Sequence, residues 1–245
     1  MINTYASKNQ SVNFGITFLK VLFISLVIIL HCFVKFKDGV FLQGAYIYVD
    51  FFFIIQGYYL ELFTMKIAND DYVGLRYFIS RVKKFALPIL FQTIAFAALW
   101  VMVYGNDIKS VMTQIMGTVV TLSFVGLTLP VYLLNNGTIW FISAYVIAGT
   151  IMVIALSLFR NIFVRISPGI TFLLYNYIIT NYGNLDVFYQ MSLSGMVMVG
   201  VIRGVAGISA GIFVRQLMCY FSSFYSGMIK SKKWIDIIVF AVGGY

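Results

Sequence analysis

The sequence predicts an all-α fold, a polytopic integral membrane helix bundle. Three observations lead there: 61% of the residues are hydrophobic, only 10% are charged, and the apolar residues gather in runs long enough to cross a bilayer. Soluble domains are roughly 45–50% apolar and about 25% charged, and a helix of about 20 apolar residues spans the hydrocarbon core. Only three prolines interrupt the chain, and no low-complexity stretch or fixed-period repeat marks a linker. Residues 1–245 are therefore expected to form a single domain.

Six complete spans are expected near 13–34, 41–62, 85–104, 138–159, 166–182 and 193–218, and a truncated seventh begins at Trp234. The stretch 110–134 is long enough to cross, but Pro130 and its many hydroxyl residues suit an interfacial or re-entrant segment better. The run from Lys233 to Tyr245 covers about 20 Å as a helix, less than the roughly 30 Å of a bilayer core. The domain is accordingly expected to be incomplete at its C-terminus.

The formal charge of +9 reports topology before it reports a partner. With the N-terminus in the cytoplasm and 110–134 not crossing, one side holds Lys8, Lys66, Arg76, Arg81, Lys83, Lys84, Arg160, Arg165, Arg215, Lys230, Lys232 and Lys233. The other holds only Lys35, Lys37 and Lys109. This is the positive-inside bias of a multi-pass cell-membrane protein with a cytoplasmic N-terminus. No basic, aromatic-interleaved face accompanies the charge, so the expected partner is the lipid bilayer and not nucleic acid. One histidine and two cysteines, Cys32 and Cys219, make no ligand cluster, and no metal is expected.

The first span is too long for a cleaved signal peptide and carries Lys20 within its apolar stretch. Lys20 and His31 are separated by just over three helical turns, so both lie on nearly the same side, about 16 Å apart along the axis. Intramembrane ionisable groups usually face the bundle interior and mark functional sites; the competing reading is that Lys20 snorkels and His31 anchors at the outer interface. In the second span, "FLQGAYIYVDFFFIIQGYYLE", Asp50 is set among aromatic residues. A carboxylate there needs a partner: it either orients the His31 imidazole and raises its basicity or caps its own helix. Arg203 is too deep in the sixth span to be a routine flank, and is expected to meet a carboxylate or a phosphate. Gly207 and Gly211 beside it read as close helix packing. Glu61, Asp70 and Asp71 read as solvated charges at the end of span two.

These residues together resemble the bacterial membrane acyltransferase 3 family, which includes O-antigen and exopolysaccharide O-acetyltransferases. The spacing of Lys20 and His31, the run "GAYIYVDFFFIIQGYY", the basic stretch "ISRVKKFALP" and the pair Trp140–Phe141 are similar to the family's blocks in order. The chain departs from them at Lys20, where arginine is usual, at Gln56 in place of serine, at Tyr48 in place of glycine, and at Arg81-x-Lys83 in place of arginine-x-arginine. The resemblance implies an O-acyltransferase that moves an acyl group, typically acetyl, from acyl-CoA to a hydroxyl of a cell-surface glycan or lipid-linked sugar. It implies no bound cofactor; acyl-CoA is the donor substrate. A hydroxyl acceptor is a weak nucleophile until a base takes its proton, which suits His31 as the base and Asp50 as its orienter. Lys20, Arg81, Lys83 and Arg203 would then bind the donor's phosphates. A multi-pass transporter or flippase for a glycan or lipid-linked substrate would use the same intramembrane charges as a relay, and is the alternative; the inverted repeats common in such folds are not evident.

Overall fold

The computed structural model describes residues 14–33, 48–66, 72–104, 112, 140–185, 191–192 and 197–230. These residues are helical except for a two-residue ladder and the turns at 72 and 183–185. Five helices are described: α1 (Phe14–Phe33), α2 (Tyr48–Lys66), α3 (Val73–Tyr104), α4 (Trp140–Tyr182) and α5 (Val199–Lys230). Strands β1 (Met191–Ser192) and β2 (Val197–Met198) pair antiparallel just before α5, Met191 opposite Met198. The expected re-entrant segment 110–134 and the seventh span from Trp234 lie outside the described residues, Met112 apart.

The chain divides into two compact units, Met1–Phe52 and Phe53–Tyr245. In the first, the Phe23 ring of α1 stacks on Tyr48 at 5.0 Å and meets Phe51 edge-on at 4.4 Å, so the start of α2 is seated on α1. Offset and edge-to-face pairs of this kind add about 0.5–1.5 kcal/mol each beyond burial.

In the second unit, contacts fix the direction of each helix. Along α2, Phe53 meets Gly207, Gly57 faces the Ile208 carbonyl, and Glu61 reaches Gln216, so α2 and α5 run parallel. Phe53 packs on Phe141 and Glu61 meets Arg160, which sets the first arm of α4 parallel to them. Gly74 lies against Ile154 and Phe85 against Tyr145, so α3 is antiparallel. Consequently α3 ends, and α4 begins, at the same end of this unit.

Helix α4 runs 43 residues, joining the two spans expected at 138–159 and 166–182. Ala148 nonetheless touches Gly204, and Thr171 bonds the carbonyl of Ala206. In a straight helix residues 148 and 171 would stand about 35 Å apart. The helix must therefore double back, and it does so at Phe159, where φ is −134° and ψ is 36°. Neither glycine nor proline stands at that position; the next residue, Arg160, is the one that reaches Glu61. In the second arm Pro168 lacks an N–H for the carbonyl of Val164, and the Ser167 hydroxyl donates to that carbonyl at 2.9 Å instead. The arm ends at Gly183, whose φ of +80° and bond from its N–H to the Ile179 carbonyl form a left-handed helix cap.

Among the described residues, two helices are long and apolar enough to cross a membrane by length and composition, α4 and the Val199–Phe221 part of α5. The apolar part of α1, Gly15–Ile29, is shorter, and α2 is diluted by Asp50, Glu61 and Lys66. Around an apolar core, many large apolar side chains stand exposed while several charged ones are buried. Leu87, Phe91 and Ile94 of α3 and Leu158, Ile162 and Phe172 of α4 are exposed, while Asp50, Gln56, Glu61, Arg203 and Arg215 are buried.

Candidate functional site

Polar side chains of α2 organise the interior of the second unit at two levels. At the upper level, the Gln56 Nε2 donates to the Tyr77 hydroxyl and to the Tyr145 carbonyl, both at 2.8 Å. The amide fits there because Gly149 has no Cβ, which would collide with Nε2 and with the Tyr77 hydroxyl. Gln56 Oε1 is buried and without a hydrogen-bond partner among the described residues. The Arg81 guanidinium lies over the Tyr77 ring, 4.8 Å from its centroid, a contact worth about 0.5–2 kcal/mol depending on solvation. Arg81 Nε is likewise buried and lacks an acceptor. Phe53, Phe85 and Phe141 close around Tyr145.

At the lower level Glu61 is fully buried, with 0% of its side chain exposed. This corrects its reading as a solvated charge. Arg160 Nη2 donates to its Oε1 at 3.0 Å, Gln216 Nε2 lies 2.8 and 2.9 Å from the two oxygens, and Arg215 Nε stands 3.1 Å from Oε2. The last is an ion pair by distance, without the alignment of a hydrogen bond. One carboxylate thus holds α2, the turn of α4 and α5 together. Removing one partner of such a buried pair costs about 3–5 kcal/mol, because the remaining charge is stranded.

Between these levels the backbones of α2 and α5 touch. A Cβ on Gly57 would strike the Ile208 carbonyl, and one on Gly211 would strike the Ile54 carbonyl. Close packing was the sequence expectation for Gly207 and Gly211, and both meet α2.

Of the expected site residues, Arg81 enters the upper cluster, whereas Lys83 is on an exposed face of α3. Arg203 is buried at 1% exposure, with Nη1 donating to the Leu185 carbonyl at 2.8 Å. In the first unit, Asp50 is buried in the opening turn of α2 and Lys20 is half-buried on α1. A carboxylate in a first turn gains about 0.3–1 kcal/mol from the helix dipole. The backbone of His31 belongs to α1, but its side chain, and with it the pairing to Asp50, lies outside the described residues. No group of three or more His, Cys, Asp or Glu that could hold a metal occurs among the described residues.

Gln56 and Tyr77 were not expected as partners. Gln56 stood out in the sequence only as a departure from a motif, and nothing in the periodicity links it to a tyrosine 21 residues on. Compared with known proteins, the chain matches no family model, no curated protein and no solved structure.

Proposed function

We propose that the chain is a multi-pass membrane acyltransferase with a cytoplasmic N-terminus, moving an acyl group from acyl-CoA to a hydroxyl of a cell-surface glycan or lipid-linked sugar. The membrane part of this reading is supported by the many large apolar side chains exposed along α1, α3 and α4, since exposed apolar surface of this kind marks lipid or partner contact. It is also supported by Arg76, Arg160 and Arg165, which stand where α3 begins and α4 turns. The finer count of six spans and a partial seventh goes with it.

The chemistry rests on one observation, the run Gly44–Tyr59 resembling an acyltransferase motif, whose carboxylate, Asp50, is buried on α2. In the reaction, His31 takes the proton of the acceptor hydroxyl, and the oxygen attacks the thioester carbonyl. The C–O bond forms, the C–S bond breaks, and the proton passes to the departing thiolate. Asp50 orients the imidazole, and Lys20, Arg81, Lys83 and Arg203 bind the donor.

The test is labelled acetyl transfer from acetyl-CoA in membranes carrying the chain, comparing wild type with His31→Ala and Asp50→Asn at matched expression. Transfer lost in His31→Ala and weakened in Asp50→Asn is the expected result. Equal labelling in all three removes His31 from the chemistry, and movement of a glycan substrate without covalent change establishes the transporter instead.

A further inference from the structure

The lower cluster carries more positive charge than its carboxylate neutralises. Arg160 and Arg215 bring two positive charges to one Glu61, and Gln216 is neutral. Glu61 already accepts from Arg160 Nη2 and, at both oxygens, from Gln216 Nε2, while Arg215 Nε stands 3.1 Å from Oε2 without making a hydrogen bond. The remaining guanidinium donors are poorly served. Arg160 Nε is buried without an acceptor among the described residues. Among the described residues Arg215 Nη1 and Nη2 reach the Tyr58 carbonyl at 3.5 Å and the Met65 sulfur at 3.9 Å, both at the limit of hydrogen bonding, and the guanidinium lies 5.9 Å from the Tyr58 ring centroid. A buried positive charge with unused donors is costly, and a ligand with several anionic oxygens would satisfy both deficits together.

A ligand would approach through Arg160, whose side chain is 39% exposed at the turn of α4, whereas that of Arg215 is 10% exposed. Planar guanidinium forks match tetrahedral oxyanions, and charge-assisted bonds to phosphate are among the stronger polar contacts available.

We propose that Arg160 and Arg215, held apart by Glu61 and Gln216 at the turn of α4, form a binding site for a phosphate group. The phosphate belongs either to an anionic lipid headgroup or to a free phosphate compound. The site is separate from the upper cluster, and the proposal does not depend on acyl transfer.

The test uses the whole chain in a neutral detergent, following thermal unfolding against two probes. One is inorganic phosphate, with chloride at matched ionic strength as reference; the other is phosphatidylglycerol in the micelle, with phosphatidylcholine as reference. Stabilisation by at least one anionic probe over its reference is expected, and the probe that acts identifies the source. Arg160→Gln leaves Glu61 paired with Arg215 and Gln216 and should raise the half-saturating concentration about tenfold or more. Arg165→Gln, outside the cluster, should leave it unchanged. If Arg160→Gln does not fold, Arg160→Lys, which keeps the charge and loses the fork, should weaken the response in the same direction. Two results overturn the site: no stabilisation by either probe, or a response in the Arg160 variants equal to that of wild type.

Discussion

Adding one methyl group at either of two glycines should move stability in opposite directions. At Gly211 a Cβ would sit 2.8 Å from the Tyr58 backbone nitrogen and closer still to the Ile54 carbonyl oxygen. Those atoms belong to the α2 backbone and cannot rotate away, so α2 and α5 must separate by about 1 Å. Overpacking of this kind costs about 1–3 kcal/mol, and backbone obstruction places Gly211→Ala toward the upper end. Replacing a helical glycine by alanine returns about 1 kcal/mol through reduced backbone entropy, leaving a net loss of about 1–2 kcal/mol. Gly169 in the second arm of α4 has nothing within 4 Å of a Cβ. Gly169→Ala should therefore keep the gain alone, about 0.5–1 kcal/mol. The two variants should differ by about 1.5–3 kcal/mol, a factor of roughly 10–150 in the unfolding equilibrium. Reversible unfolding in mixed micelles, monitored by helical circular dichroism, measures this. If Gly211→Ala proves as stable as Gly169→Ala, the backbone contact between α2 and α5 is not as described.

Glu61→Gln keeps much of the side-chain shape but leaves Arg160 and Arg215 without a counter-charge, and should lower stability by about 3 kcal/mol in the same unfolding measurement. Ser167→Ala removes the donor to the Val164 carbonyl that Pro168 cannot supply; a loss of about 1 kcal/mol is expected, and an unchanged midpoint would show that another donor serves that carbonyl. Gln56→Leu deletes two hydrogen bonds and one buried unpartnered oxygen together, so its stability should stay within about 1 kcal/mol of wild type. A loss above 3 kcal/mol would mean that Oε1 has an undescribed partner. Arg160→Gln is expected to weaken the response to phosphate or phosphatidylglycerol without abolishing folding.

Much of the helical layout is legible in the sequence, because apolar runs of about 20 residues carry their own signal. The placements of α1 and α2, and the change of direction between 159 and 166, follow from where those runs stop. The depth of Arg203 could be read in the same way, from the apolar residues on both sides of it. What could not be read is which charges have partners. Glu61, near the end of its run, has the same local pattern as a solvated flank, and its partners stand 99 and 155 residues away. Gln56 presents the same difficulty, since the bonds that define it come from α3 and α4. Periodicity reports which face of a helix is apolar; it holds no information on what faces it across the bundle. Arg81 and Lys83 illustrate the limit, being two residues apart in one basic stretch, with only Arg81 turned onto Tyr77.

The wide separation of Glu61 from its partners also bears on how the protein is made. Gln216 is synthesised 155 residues after Glu61, which at about 5–20 residues per second is a delay of roughly 8–30 s. Until Arg160 emerges, 99 residues after Glu61 and roughly 5–20 s later at the same rate, the nascent α2 carries a carboxylate with none of its arginine partners yet made. Substituting Glu61 by an uncharged residue should therefore ease early insertion of α2 while weakening the finished bundle. Pulse-labelled membrane integration and final stability would then respond to the same substitution with opposite signs.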